Sequence, residues 1–223
     1  VLDVIAEMLP LAVALALSPL AIASVVLMLL SSRPRAASIA FLLGFLIAVV
    51  VIAGVGYLLA AVLPHDGETS ISAPILLLAL GIVAIVLAVR QWRARPRPGD
   101  ELELPGWIAK VEGITTPSAF VMGAFFGGLK PKNLLLSIGV GVTLEATALS
   151  TGEAATVVLV VAVIAALPIM VPVVLALVAL DRLSGALDRL RSWLMQHNAA
   201  MVGTILLLVG VLLAAKGLGG LGG

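Results

Sequence analysis

The sequence predicts an all-α integral membrane protein: six transmembrane helices in two inverted three-helix repeats, with the first and fourth helices broken. Three observations lead there. Of 223 residues, 62% are hydrophobic and only 11% charged, whereas soluble domains carry about 25% charged residues. The apolar residues gather in six runs long enough to cross a hydrocarbon core of about 30 Å at ~1.5 Å per helical residue. The charges fall mostly between the runs, and the basic ones collect in alternate gaps.

The first run, 4–30, carries Ser18-Pro19 at its centre and is long enough to require tilt or a break. A basic turn with Arg33 and Arg35 leads to the second run, 36–63, where Gly44, Gly54 and Gly56 are small packing positions. A polar loop with Asp66 and Glu68 precedes the third run, 73–89, and residues 1–90 make the first repeat. Residues 91–116 form a cytoplasmic loop. Pro96, Pro98 and Pro105 argue against a compact domain there, beyond one helical turn near Trp107.

The second repeat, 117–216, opens with the fourth run, 117–144, and continues with the fifth, 154–180, which contains Pro168 and Pro172. In 182–195, Leu183, Leu187, Leu190 and Leu194 recur at helical spacing among charged residues, the pattern of an in-plane interfacial helix. The sixth run is 199–215. Residues 217–223 read as a flexible Gly/Leu tail, and these glycines follow no strand and precede no helix, so they are not a phosphate loop.

Orientation follows from the basic residues. The gaps after runs one, three and five hold two, five and three Lys/Arg, and those after runs two and four hold none. The positive-inside rule then places both termini outside the cytoplasm of a plasma (inner) membrane, as an even number of crossings requires. No basic segment precedes the first apolar run, so no cleaved signal peptide is expected.

The stretch that calls for a function is Gly127-Gly128-Leu129-Lys130-Pro131-Lys132-Asn133, in the middle of the fourth run. A lysine at the centre of a membrane helix costs about 2.5–3.5 kcal/mol, so two of them need partners or a task. Pro131 and Pro19 each remove a backbone donor and break their helix. Matched proline-interrupted segments in two inverted halves point to a transporter site near the bilayer midplane. The half-helix N-termini carry partial positive charge. Lys130 and Lys132 are the candidate ligands of an anionic group, with Asn133 and Ser18 as neutral hydrogen-bond partners. Glu7, near the outer end of run one, reads as interfacial, with a proton site as the alternative.

Other classes lack residues. There is no cysteine, and His65 and His197 lie in different predicted loops, so no metal site or cofactor is expected. No catalytic constellation and no ATP-binding motif appears, so an enzyme is not expected, and neither is a nucleic-acid partner. Membrane lipids are the expected surroundings. Small helical transporters often pair, so a homodimer is a further expectation with no residue assigned to it.

Several segments together resemble the actinobacterial GAP family, the glycolipid- and sulfolipid-addressing (Sap-like) proteins of the lysine-exporter (LysE) transporter superfamily. They are Leu9-Pro10-Leu11, Ala16-Leu17-Ser18-Pro19, the run 25–31 with its basic turn, Phe41-Leu42-Leu43-Gly44-Phe45 and Gly128-Leu129-Lys130-Pro131-Lys132-Asn133-Leu134. The resemblance covers nearly the whole chain except 91–115. It implies two inverted halves and the export or placement of cell-envelope glycolipids. Amino-acid exporters of the superfamily tend to show a Pro-Gly-Pro break where this chain has Ser18-Pro19-Leu20.

The expectation is therefore a transporter or flippase for an anionic envelope lipid or its precursor. One alternative is an exporter of amino acids or small organic anions with the same architecture. Another is a non-transporting scaffold for glycolipid synthesis that works through the 91–116 loop.

Overall fold

The structure, a computed structural model, describes residues 1–29, 31, 34–62, 72–94, 114–147 and 149–221, and all regular structure among them is helical. The chain begins as α1 (Leu2–Ala16) and α2 (Pro19–Leu29), bent from one another by 57°. Ser18 precedes a proline and is biased away from helical angles. Pro19 has no N–H to give the Leu15 carbonyl, yet suits the first position of a new helix. Leu17, at φ −76° and ψ 71°, makes an inverse γ-turn in which the Ser18 N–H donates to the Ala16 carbonyl at 2.8 Å.

A second break has the same logic. α5 (Thr116–Ala124) starts on Thr115, whose side chain accepts the Ser118 N–H. It widens into a π-helical turn, Phe125–Leu129, passes Lys130 in extended conformation and restarts as α6 (Pro131–Glu145). Each half of this element is about 21–23 Å long at 1.5 Å per residue, so the break lies midway.

Between the breaks runs α3 (Pro34–Val62), 29 residues or about 43 Å long, which must tilt to fit a hydrocarbon core. It meets α5 and α6 backbone to backbone. A Cβ on Gly123 would overlap the Phe41 carbonyl, and one on Gly141 would overlap that of Ala53. Phe41 and Phe45 are fully buried there, and the Phe41 and Phe126 rings lie 6.0 Å apart.

α4 (Ser72–Arg93) pairs with the C-terminal part of α7 (Thr151–Leu221) through small residues spaced by seven. Gly203 faces the Ala88 carbonyl, Gly210 that of Gly81 and Gly217 that of Pro74, an antiparallel register in which side chains do not hold the helices apart.

α7 is helical throughout its 71 residues, but it cannot be straight. Ala176 packs with Val26 and Leu29, while Lys216 reaches Glu7. Along a straight helix Ala176 and Lys216 would stand about 60 Å apart, whereas Glu7 and Leu29 are separated by at most ~33 Å of helix. The chain therefore folds back between its two apolar ends, Thr151–Ala176 and Gln196–Leu221. Both are long and apolar enough to cross a membrane, as are Pro34–Val62 and Pro74–Arg93. The bent pair α1–α2 makes a fifth such unit, and Thr116–Leu129 is a shorter apolar segment. One hydrophobic core joins all of these elements. The chain is a helical membrane protein.

One expectation changes. Composition assigns the C-terminal glycines to a flexible tail, but α7 continues to Leu221 and Gly217 packs on Pro74 and Leu78; heptad spacing outweighs glycine's low helix propensity. Between the fifth and sixth runs, 182–195 is helical. Leu194 is buried and Leu190 exposed, while the side chains of Leu183 and Leu187 lie outside the described residues, as do most of the 91–116 loop and His65.

Candidate functional site: a basic cavity at two helix breaks

Two polar residues at the start of α6, Lys132 and Asn133, complete the backbones of both breaks. At the end of α1, the Ser18 N–H turns to Ala16, which leaves the Ala14 carbonyl without its helical donor. The first N–H groups of α2 turn to Ser18, which leaves the Leu17 carbonyl free of them. The Lys132 ammonium, buried with the rest of its side chain, donates to both, at 2.6 Å to Ala14 and 3.2 Å to Leu17. Hydrogen bonds to a charged group contribute about 1.5–3 kcal/mol each, enough to offset the cost of placing one lysine at that depth. Lys132 is a C-terminal cap for α1 supplied from α6.

Asn133 does the same for the second break. The Lys130 N–H reaches back five residues to Phe125, bypassing the Phe126 carbonyl. The Asn133 amide donates to that carbonyl at 2.7 Å and to the Ser18 hydroxyl at 3.4 Å. Asn133 and Ser18 are both buried. The structure thus brings Ser18 and Pro19 together with Lys130, Pro131, Lys132 and Asn133, more than a hundred positions later in sequence.

Beside this junction is a cavity of about 450 Å³. It is lined by the start of α2 (Ser18, Pro19, Leu20) and the start of α6 (Lys130, Pro131, Lys132), together with Arg90 and Gln91 from α4 and Asn198 from α7. The Lys130 ammonium lies over the Phe126 ring, 4.5 Å from its centroid. Among the described residues that line the cavity, Arg90, Lys130 and Lys132 are basic and none is acidic. Two helix N-termini add partial positive charge. The Oδ1 atom of Asn198 is buried and has no hydrogen-bond partner among the described residues. The arrangement suits an anion.

A family model described as Sap, sulfolipid-1-addressing protein, matches residues 8–219. The chain belongs to this family. The matched span takes in both breaks and every residue of the cavity named above. No curated protein and no solved structure matches this Sap-family chain.

Glu7 is not brought to the cavity. It pairs with Lys216, and both side chains are partly exposed. Arg90, Gln91 and Asn198 are the cavity residues that sequence reasoning passes over. Arg90 reads as a topology signal at the end of a run, and nothing in the linear sequence sets Asn198 against it. No cluster of three or more His, Asp or Glu side chains suited to a metal occurs among the described residues.

Proposed function

We propose that this Sap-family chain crosses the plasma membrane six times as two inverted three-helix halves, with both termini outside, and translocates an anionic envelope lipid or lipid precursor. The observation that carries this is the cavity itself: among the described residues that line it, three side chains are basic and none is acidic, and two helix N-termini converge there, where two membrane helices are broken. The cavity runs from the breaks to Arg90 at the basic end of α4, which the distribution of lysine and arginine assigns to the cytoplasmic side. A head group entering there meets Arg90 first and Lys130 at depth. Asn198 would accept a hydrogen bond from a head-group hydroxyl, as a glycolipid supplies. Membership in a family named for a sulfolipid supports a lipid over an amino acid.

Lys132 and Asn133 keep the two breaks open, and Lys130 and Arg90 hold the charge. The chain carries out no covalent chemistry in this reading. The test uses proteoliposomes containing phosphatidylglycerol or phosphatidylcholine with a fluorophore on one acyl chain, quenched from outside by dithionite. Faster leaflet exchange of phosphatidylglycerol than of phosphatidylcholine, above protein-free vesicles, is expected. Exchange no faster than in protein-free vesicles would overturn the lipid-transporter reading. Uptake of small organic anions, or loss of function only on deleting the 91–116 loop, would then identify which alternative holds.

A further inference from the structure

On the other side of the Lys132 clasp lies a second concavity, which the head-group cavity does not use. α1 and the C-terminal part of α7 part over a groove of about 280 Å³, walled by Pro10, Val13, Leu17, Ile205, Leu208 and Leu212. Its lining is apolar, and Val13 and Leu208 are 49% and 67% exposed.

Three features tie the groove to the cavity. Ala14 and Leu17, whose carbonyls Lys132 holds, also line the groove, so one clasp is the partition between the two spaces. The same helix continues from one to the other: Asn198, Val202 and Leu206 face the cavity, while Ile205, Leu208 and Leu212 face the groove. The far end of the groove is bounded by the Glu7–Lys216 ion pair, about one turn beyond Pro10 and Leu212. A basic polar chamber and an apolar slot thus share a wall, and the slot is closed at its far end by charge. A small hydrophilic anion would leave the slot unused.

We infer that the groove between α1 and the C-terminal part of α7 takes a hydrocarbon chain of the same amphiphile whose anionic head occupies the basic cavity. Head and chain lie on either side of the Lys132 clasp, and the two concavities act as one site. This rests on the head-group reading given above.

A dodecyl phosphate with a diazirine at its chain end tests it in wild-type proteoliposomes, with photolysis followed by peptide mapping. Cross-links are expected to concentrate on 10–17 and 205–212, and to fall about tenfold in Lys130→Gln, which loses one charge-assisted contact. An excess of methyl phosphate should compete them away. Cross-links confined to the cavity walls and lowered by Lys130→Gln would overturn the groove proposal while leaving the head-group reading intact. Cross-links in the groove that do not respond to Lys130→Gln would overturn the single-site proposal. Labelling spread evenly over exposed apolar faces, such as Val51 and Leu58 of α3, and indifferent to Lys130→Gln would overturn both.

Discussion

The ammonium of Lys132 lies 2.6 Å from the carbonyl of Ala14, 118 positions earlier in the chain. This contact assigns different work to two lysines that sequence alone treats as equivalent. Lys132 completes the backbone of another helix, and Lys130 is left to line the cavity.

Replacing Lys132 with Met removes the donor while keeping most of the stem. The Ala14 carbonyl is then buried without that partner, costing about 1–3 kcal/mol, and the part-buried Leu17 carbonyl loses the same donor. A melting temperature several degrees lower in detergent is expected. Lys130→Met should melt within a degree or two of wild type. Equal losses in the two variants would show that the clasp contributes nothing.

Gly123→Ala puts a methyl group into the Phe41 backbone, so α3 and α5 must separate. Overpacking of this kind costs about 1–3 kcal/mol. Gly54, on the same α3 helix, has open space for 4 Å around the position a methyl group would take. Gly54→Ala should therefore be neutral or stabilising by up to ~1 kcal/mol, through helix propensity. Folded yield and thermal stability distinguish the pair; a harmless Gly123→Ala would contradict the close packing.

Glu7 and Lys216 form a partly exposed ion pair. Such pairs contribute about 0–1 kcal/mol, so Glu7→Gln should shift the melting temperature by no more than a few degrees. The pH profile of lipid exchange should be unchanged. A profile that moves in Glu7→Gln would support the proton-site reading.

Asn198 lines the cavity, and its buried Oδ1 has no hydrogen-bond partner among the described residues. If it receives a head-group hydroxyl, Asn198→Leu should reduce the preference for phosphatidylglycerol over phosphatidic acid by about tenfold. An unchanged ratio would remove Asn198 from recognition.

Both breaks are legible in the sequence because proline in an apolar run has an unavoidable backbone consequence, and because lysine and asparagine at that depth require partners. Their division of labour is not legible. Lys130 is extended and Lys132 stands in the first turn of α6, so their side chains diverge, but nothing local says which one turns to α1. Arg90 and Asn198 reach the cavity only through the register of α4 on α7. That register is written in Gly203, Gly210 and Gly217, a spacing that the glycine-rich composition of the C-terminus obscures. The fold-back of α7 is also silent in the sequence, since continuous helical propensity through 177–195 does not mark where a helix turns.

If Lys130 holds the anionic head group of a translocated lipid, its loss must slow translocation. Phosphatidylglycerol exchange in proteoliposomes measures this, comparing Lys130→Gln with wild type and with a substitution of the exposed Arg189, Arg189→Gln, at matched amounts of folded protein. A rate about tenfold lower is expected for Lys130→Gln, and a near wild-type rate for Arg189→Gln. Equal rates in all three proteins would contradict a head-group role for Lys130.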